Sequence, residues 1–153
     1  SLALIERLIK AYPQTVVGMK DSSGDWNNLH VILTNFPGFG TFTGSERFFV
    51  ETLKLGGAGS INAVANVIAP LQHRLYENWQ SEEATALQET VNLMRPVFKD
   101  VQPIPALKQI VAYLQNDPSW LNLRPPFTKL TDAQAQSVIQ AFEQSGLLEK
   151  QAA

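Results

Sequence analysis

Between residues 14 and 80 the chain runs three times through one pattern: a short apolar segment, a turn carrying glycine or serine, and a longer segment with apolar residues at helical spacing. "QTVVGM" (14–19) is followed through "KDSSGD" by "WNNLHVILTNF", and "FGTFTG" (39–44) is followed through Ser45 by "ERFFVETLKLG". "AGSINA" (58–63) then opens into a helix beginning near Ala65. Antiparallel neighbours need only a tight hairpin, whereas parallel neighbours need a crossover of a dozen or more residues. The repeat, about 20 to 25 residues long, therefore predicts an α/β fold with parallel strands joined by right-handed crossovers.

The flanking segments are helical. "LALIERLIKAY" places Leu4, Ile5, Leu8 and Ile9 on one stripe and stops at Pro13. It has no visible capping box, and an exposed amphipathic helix of this length needs a neighbour to pack on. Asp25 is placed to cap the helix 25–36, which Pro37 and Gly38 end. Beyond residue 80 no strand pattern recurs. "SEEATALQETVNLMRPVF" carries Ala84, Leu87, Val91, Met94 and Phe98 along one stripe interrupted by Pro96, and "QPIP" leads into "ALKQIVAYLQ". Thr131 with Gln134 three residues on forms a capping-box pattern, opening a helix that buries Ala135, Val138, Ile139 and Phe142. Two regions are expected: residues 1–80, with three β/α units, and residues 81–153, helical. Three strands cannot close a barrel, for which eight is the usual number in a (β/α) fold of about 250 residues. Either the sheet is open or the chain is incomplete.

Composition excludes several functions. Twelve basic and fourteen acidic residues leave a net charge of −2, with no basic stripe to neutralise phosphates, so a nucleic-acid partner is not expected. No apolar run approaches the roughly 20 residues that span a bilayer, so no membrane partner is expected. The chain has no cysteine, which removes disulfides, thiolate nucleophiles and zinc-thiolate sites and fits a cytoplasmic protein. The two histidines, His30 and His73, fall within helices far apart in sequence, and surface or core-edge roles suit them better than metal ligation. Trp26, Trp79 and Trp120 are expected to anchor packing.

In parallel α/β folds ligands bind beyond the carboxyl ends of the strands. Lys20 stands at the end of the first strand. Desolvation favours the neutral amine of a lysine, the form that attacks a carbonyl to give a Schiff base; the plainer reading is an exposed lysine paired with Asp21. At the second strand end, Gly44 allows close approach to the backbone, and Ser45 and Glu46 open a helix whose first amides can bind an anion or hydroxyl groups. Simple punctuation, a tight turn plus a cap, explains them equally well. The glycines of "GGAGS" match neither GxxxxGK[ST] nor GxGxxG, so no nucleotide site is expected. Asn62, at the third strand end, offers an amide to a ligand or to the turn. Tyr12 precedes the first strand, and Tyr76 and Tyr113 are mid-helix, so no tyrosine is placed to relay protons to Lys20.

Taken in order, "VVGMKDSSGD", "FTGSERF", "LGGAGSINAVANVIAP", "QPIPALKQIVAYL" and "LRPPFTKLT" resemble the C-terminal half of the dihydrodipicolinate synthase and N-acetylneuraminate lyase family of class I aldolases, over nearly the whole chain. The resemblance implies the last three strands of a (β/α)8 TIM barrel followed by extra C-terminal helices. It also implies that Lys20, matching the family motif G-[VIM]-K-[DE], is the Schiff-base lysine that condenses with the keto group of pyruvate or a 2-keto acid. The resulting enamine adds to, or is released from, an aldehyde or imine partner. Gly44, Ser45 and Glu46 match the loop after the seventh strand, which the resemblance implies contacts the substrate chain in the sugar-acid lyases and contributes backbone in the synthase branch. Ile61 matches the apolar residue beside bound pyruvate, and Asn62 the variable position next to it. "GSINAVAN" departs from both the synthase and the sialic-acid lyase patterns, which leaves the second substrate open.

The family's Gly-Thr-Thr-Gly-Glu carboxylate-binding motif and its relay tyrosine belong to earlier strands, and this sequence contains neither. The expectation is an incomplete barrel, with little or no turnover by the 153-residue chain alone. No metal or organic cofactor is implied, and a homo-oligomer is expected, since the family is typically tetrameric. Two alternatives stand beside this reading: a binding or oligomerisation fragment of the same barrel with Lys20 unreactive, and an open doubly wound domain binding a small anion after Gly44.

Overall fold

The computed structural model describes residues 1–148 and divides into two compact units, Ser1–Asn62 and the residues from Ala63 on. The boundary precedes the helix that the sequence pattern groups with the third strand.

The first unit opens with α1 (Leu2–Ala11), as the spacing predicts. None of its residues is buried, and Ser1 makes no side-chain capping bond. Three parallel strands follow in sequential order: β1 (Gly18–Asp21), β2 (Gly40–Thr43) and β3 (Gly59–Ser60). Gly18 pairs with Gly40 and Lys20 with Phe42, while Phe42 pairs with Gly59 on its other side. The crossovers carry α2 (Trp26–Asn35) and α3 (Phe49–Lys54), whose Leu29, Ile32, Leu33, Phe49, Val50 and Leu53 form the buried layer.

The first strand differs from the expectation of 14–19, buried on both faces. Thr15 and Val16 donate their amides to the Tyr12 carbonyl, extending the turn after α1, and Val17 is 64% exposed. The ladder begins where the Val17 carbonyl accepts the Gly40 amide, so β1 lies later in the chain and includes Lys20. The glycines explain the register. A Cβ on Gly18 would lie 2.4 Å from the Gly40 carbonyl oxygen, a separation that real side chains do not tolerate. The ladder at β3 extends beyond its two residues, since Ala58 and Ile61 donate to the carbonyls of Thr41 and Thr43.

The second unit is helical: α4 (Ala65–Glu77), α5 (Ala84–Asn92), α6 (Met94–Val97), α7 (Pro103–Gln115) and α8 (Asp132–Gln144). Ala84, Leu87, Val91 and Met94 are buried as the stripe predicts, but Val97 rather than Phe98 continues it. The reason is Pro96, whose ring clashes with the carbonyl four residues back. That carbonyl belongs to Asn92, the last residue of α5, and α6 begins two residues later. α7 begins with Pro103 at its first turn and ends at Asn116 in the left-handed conformation. The predicted capping box of α8 is present: Thr131 Oγ1 accepts the Gln134 amide and Gln134 Oε1 accepts the Thr131 amide. Val138 and Phe142 are buried, whereas Ala135 and Ile139 are only partly so. Trp120 does not anchor a core, being 40% exposed with its indole donating to Gln115. Among the described residues no helix is long and apolar enough to cross a membrane.

Candidate functional site

Lys20, Gly44, Ile61 and Asn62 are brought together at the carboxyl ends of the three parallel strands. Side chains alternate across a strand, so Lys20 and Asp21 point to opposite faces of β1. The Lys20 side shares its row with Phe42 and Gly59. The Phe42 ring lies over Gly59, with two ring carbons 3.5 Å from where a Cβ would stand.

The lysine does not pair with Asp21. Lys20 is exposed and enters none of the ion pairs among the described residues. Asp21 is buried, and its carboxylate accepts hydrogen bonds from the Ser23 amide (3.1 Å), the Ser23 hydroxyl (2.8 Å) and Asn28 Nδ2 (3.1 Å). The polar turn after Lys20 is thus organised around the acid. Ser23 Oγ in turn accepts the Asp25 amide, and Asp25 caps α2 by accepting the Asn27 amide, as the sequence predicts.

Gly44 is required by a close approach. A Cβ there would meet the Asp21 carbonyl oxygen at 2.5 Å, Ser22 Cα at 3.2 Å and Lys20 Cε at 3.2 Å, while its amide donates to the Asp21 carbonyl at 2.7 Å. The lysine stem therefore runs over the bare backbone of Gly44.

Ser45 and Glu46 are placed differently from the expectation. Ser45 precedes a three-residue 3-10 turn (Glu46–Phe48) that leads into the six-residue α3, and its side chain makes no capping bond. Instead the Thr43 hydroxyl accepts the Ser45 amide (3.1 Å) and donates to the Ser45 carbonyl (3.0 Å). A turn this short supplies no helix N-terminus to hold an anion, which removes the argument for the open anion-binding domain. Ser45 and Glu46 are both buried.

At the third strand end, Ile61 is half exposed and donates its amide to the Thr43 carbonyl. Asn62 Nδ2 donates to Ser60 Oγ (2.6 Å), which donates to the same carbonyl (3.2 Å). Sequence reasoning missed Thr43 and Ser60, which tie the second and third strand ends together. Their signal was strand alternation, which puts Asp21, Thr43 and Ser60 in one row opposite Lys20.

The remaining candidates lie elsewhere. His30 is exposed and packs edge-on against Trp26, and His73 is exposed within 3.9 Å of Glu77. No group of three His, Cys, Asp or Glu able to hold a metal occurs among the described residues. Tyr12 follows α1, on the N-terminal side of β1, and is 58% exposed. The Tyr113 hydroxyl donates to Glu143, and that hydrogen bond, followed by the charge of Glu143, raises the phenol above its usual range.

Comparison with known proteins gives one consistent result. The profile of the dihydrodipicolinate synthetase family matches residues 1–145. A protein of Chloroflexus aurantiacus described as an uncharacterized DapA-like lyase is 27% identical over 141 residues, covering 92% of this chain and 47% of that protein. The 4-hydroxy-tetrahydrodipicolinate synthase of Staphylococcus epidermidis is 31% identical over 138 residues, covering 84% and 44%. Among solved structures, dihydrodipicolinate synthase from Agrobacterium tumefaciens superposes with a TM-score of 0.79 at 26% identity, over 94% of this chain and 48% of that one. N-acetylneuraminate lyase from Fusobacterium nucleatum, complexed with pyruvate, shares the fold with a TM-score of 0.77 at 20% identity, over 94% and 49%. The chain spans about half the length of the relatives it matches.

Proposed function

Because the chain belongs to the dihydrodipicolinate synthetase family, we propose that it carries the Schiff-base lysine of a class I aldolase or lyase acting on pyruvate or a related 2-keto acid. In this reading residues 1–80 are the last three β/α units of a (β/α)8 barrel and residues 81–153 its C-terminal helices. The observation that carries it is Lys20: an amine at the carboxyl end of a parallel strand, in no ion pair among the described residues, its stem laid over a glycine at the end of the next strand.

The chemistry follows from that placement. Lys20 Nζ adds its lone pair to the keto carbon, the carbonyl oxygen leaves as water after two proton transfers, and a protonated imine remains. Its positive nitrogen accepts the electrons released when a proton leaves the adjacent carbon, giving an enamine that attacks an aldehyde; the reverse sequence cleaves a carbon–carbon bond. Gly44 contributes backbone beside the lysine, Ile61 an apolar wall, and Asn62 an amide at the position that varies with the second substrate. Ser45 and Glu46 shape the loop between them. The electron sink is the lysine itself, so the reading calls for no organic cofactor or metal. Proton transfer needs a positioned acid or base, worth typically 10²–10⁴-fold, and the sequence lacks the strand that carries the family's relay tyrosine in this reading. We expect the chain alone to turn over little or no substrate, and the complete enzyme to be a cytoplasmic homo-oligomer. A retro-aldol or condensation rate from the purified chain would contradict the first expectation.

Lys20→Ala tests the assignment. Incubation with pyruvate and borohydride should attach one reduced pyruvate to the wild-type chain and none to the variant; equal labelling of both would remove Lys20 from the reaction. A second reading, a non-catalytic association fragment of the same barrel, is favoured by α1, whose apolar stripe is nowhere buried. Under that reading the chain self-associates and Lys20→Ala changes nothing.

A further inference from the structure

We propose that Asp21 is a positioning residue for Lys20, its carboxylate fixing the end of β1 and thereby the path of the lysine stem across Gly44. The proposal rests on the reading of Lys20 as the Schiff-base lysine. Three donors converge on this one buried carboxylate: the Ser23 amide, the Ser23 hydroxyl and Asn28 Nδ2. Through them the end of β1 is joined to the polar turn and to the first turn of α2. The carbonyl of the same residue accepts the Gly44 amide at 2.7 Å, so the main chain at Asp21 is gripped from both sides.

Lys20 is one planar peptide away. With Asp21 held, the backbone torsions that aim the Lys20 side chain have little freedom, and its Cε passes 3.2 Å from the point where a Gly44 side chain would begin. The chemistry of the anchor is specific. A carboxylate only accepts, whereas an asparagine amide would bring its own N–H group towards donors already in place. Asp21→Asn is therefore nearly isosteric yet loses part of the anchor. A misplacement of about 1 Å at a reacting group costs on the order of 10²-fold in rate.

The test compares two reagents on the same amine in the wild-type chain, Asp21→Asn and Asp21→Ala. Pyruvate trapped with borohydride requires an oriented lysine, while formaldehyde with the same reductant requires only an accessible one. Peptide mapping reads both rates at Lys20, with Lys54 as internal control. The expected result is a fall of about 10- to 100-fold in pyruvate trapping at Lys20, with formaldehyde labelling at Lys20 and Lys54 unchanged. Parallel losses with both reagents, or no loss with either, would overturn the proposal. If the wild-type chain takes up formaldehyde but no pyruvate, the Schiff-base reading fails, and the positioning claim is read from the NMR signal of ¹³C-dimethylated Lys20. A shift distinct from the other lysines in wild type that merges with them in Asp21→Asn would support it; the same shift in both would overturn it.

Discussion

In the helical unit Ile68, Leu75, Val91, Met94, Ile110, Phe142 and Leu147 are entirely buried, and helix ends are closed by a proline start, a left-handed Asn116 and a capping box. In the sheet unit Leu29 and Ile32 reach comparable burial, α1 buries nothing, and the contacts that fix the strand ends are glycine close approaches and side-chain bonds to backbone. Stability is thus concentrated in one unit and the candidate chemistry in the other. The proposed site needs backbone, amine and polar groups open at the strand ends of the sheet unit, so substitutions in the two units should fail in different ways.

The largest expected effect is in the helical unit. Phe142→Ala should cost about 3–5 kcal/mol, the usual penalty for emptying a fully buried aromatic site, read from denaturant unfolding, with Lys20 labelling in the folded fraction unchanged. If labelling falls with stability, the two units are not separable. Gly44→Ala reverses the pattern. It should cost about 1–3 kcal/mol by overpacking and in addition suppress pyruvate trapping at Lys20, because the new methyl meets the Asp21 carbonyl and the lysine stem. A stable variant with unchanged trapping would end the argument from close approach.

How much of this was legible in the sequence follows the same division. Helical periodicity and caps are local, so α2, the body of α7 and the capping box of α8 were readable from spacing and end signals, whereas "QPIP" read as a link although α7 already begins at Pro103. The start of β1 was not. The valines at 16 and 17 read as a strand, but the strand begins where two glycines let backbones approach, a non-local condition set by Gly40. The same limit applies to the site. Lys20 and Gly44 were identified separately, while the contact between them, the burial of Glu46 and the anchoring of Asp21 by Asn28 depend on elements that meet only in the fold.

Smaller effects sharpen the contrast. Thr41 is fully buried with its hydroxyl unpaired among the described residues, so Thr41→Val should raise stability by about 1 kcal/mol; a loss would reveal a partner for that hydroxyl. The least effect is expected at Tyr113. Its hydrogen bond to Glu143 raises the phenol above its usual value of 10.0, so the stability it contributes is fully present below the unfolded value. That contribution is lost as pH rises through the folded value, above pH 10. Tyr113→Phe should flatten this alkaline decline in thermal unfolding, and an unchanged slope would show that the pair does not act in solution.

The most direct test of the central claim is peptide mapping of the chain after pyruvate and borohydride, with the rate at Lys20 compared with those at the other lysines. One reduced adduct is expected, on Lys20, formed faster than at Lys10, Lys54 or Lys108. Labelling spread evenly over exposed lysines, or absent from Lys20, would contradict it.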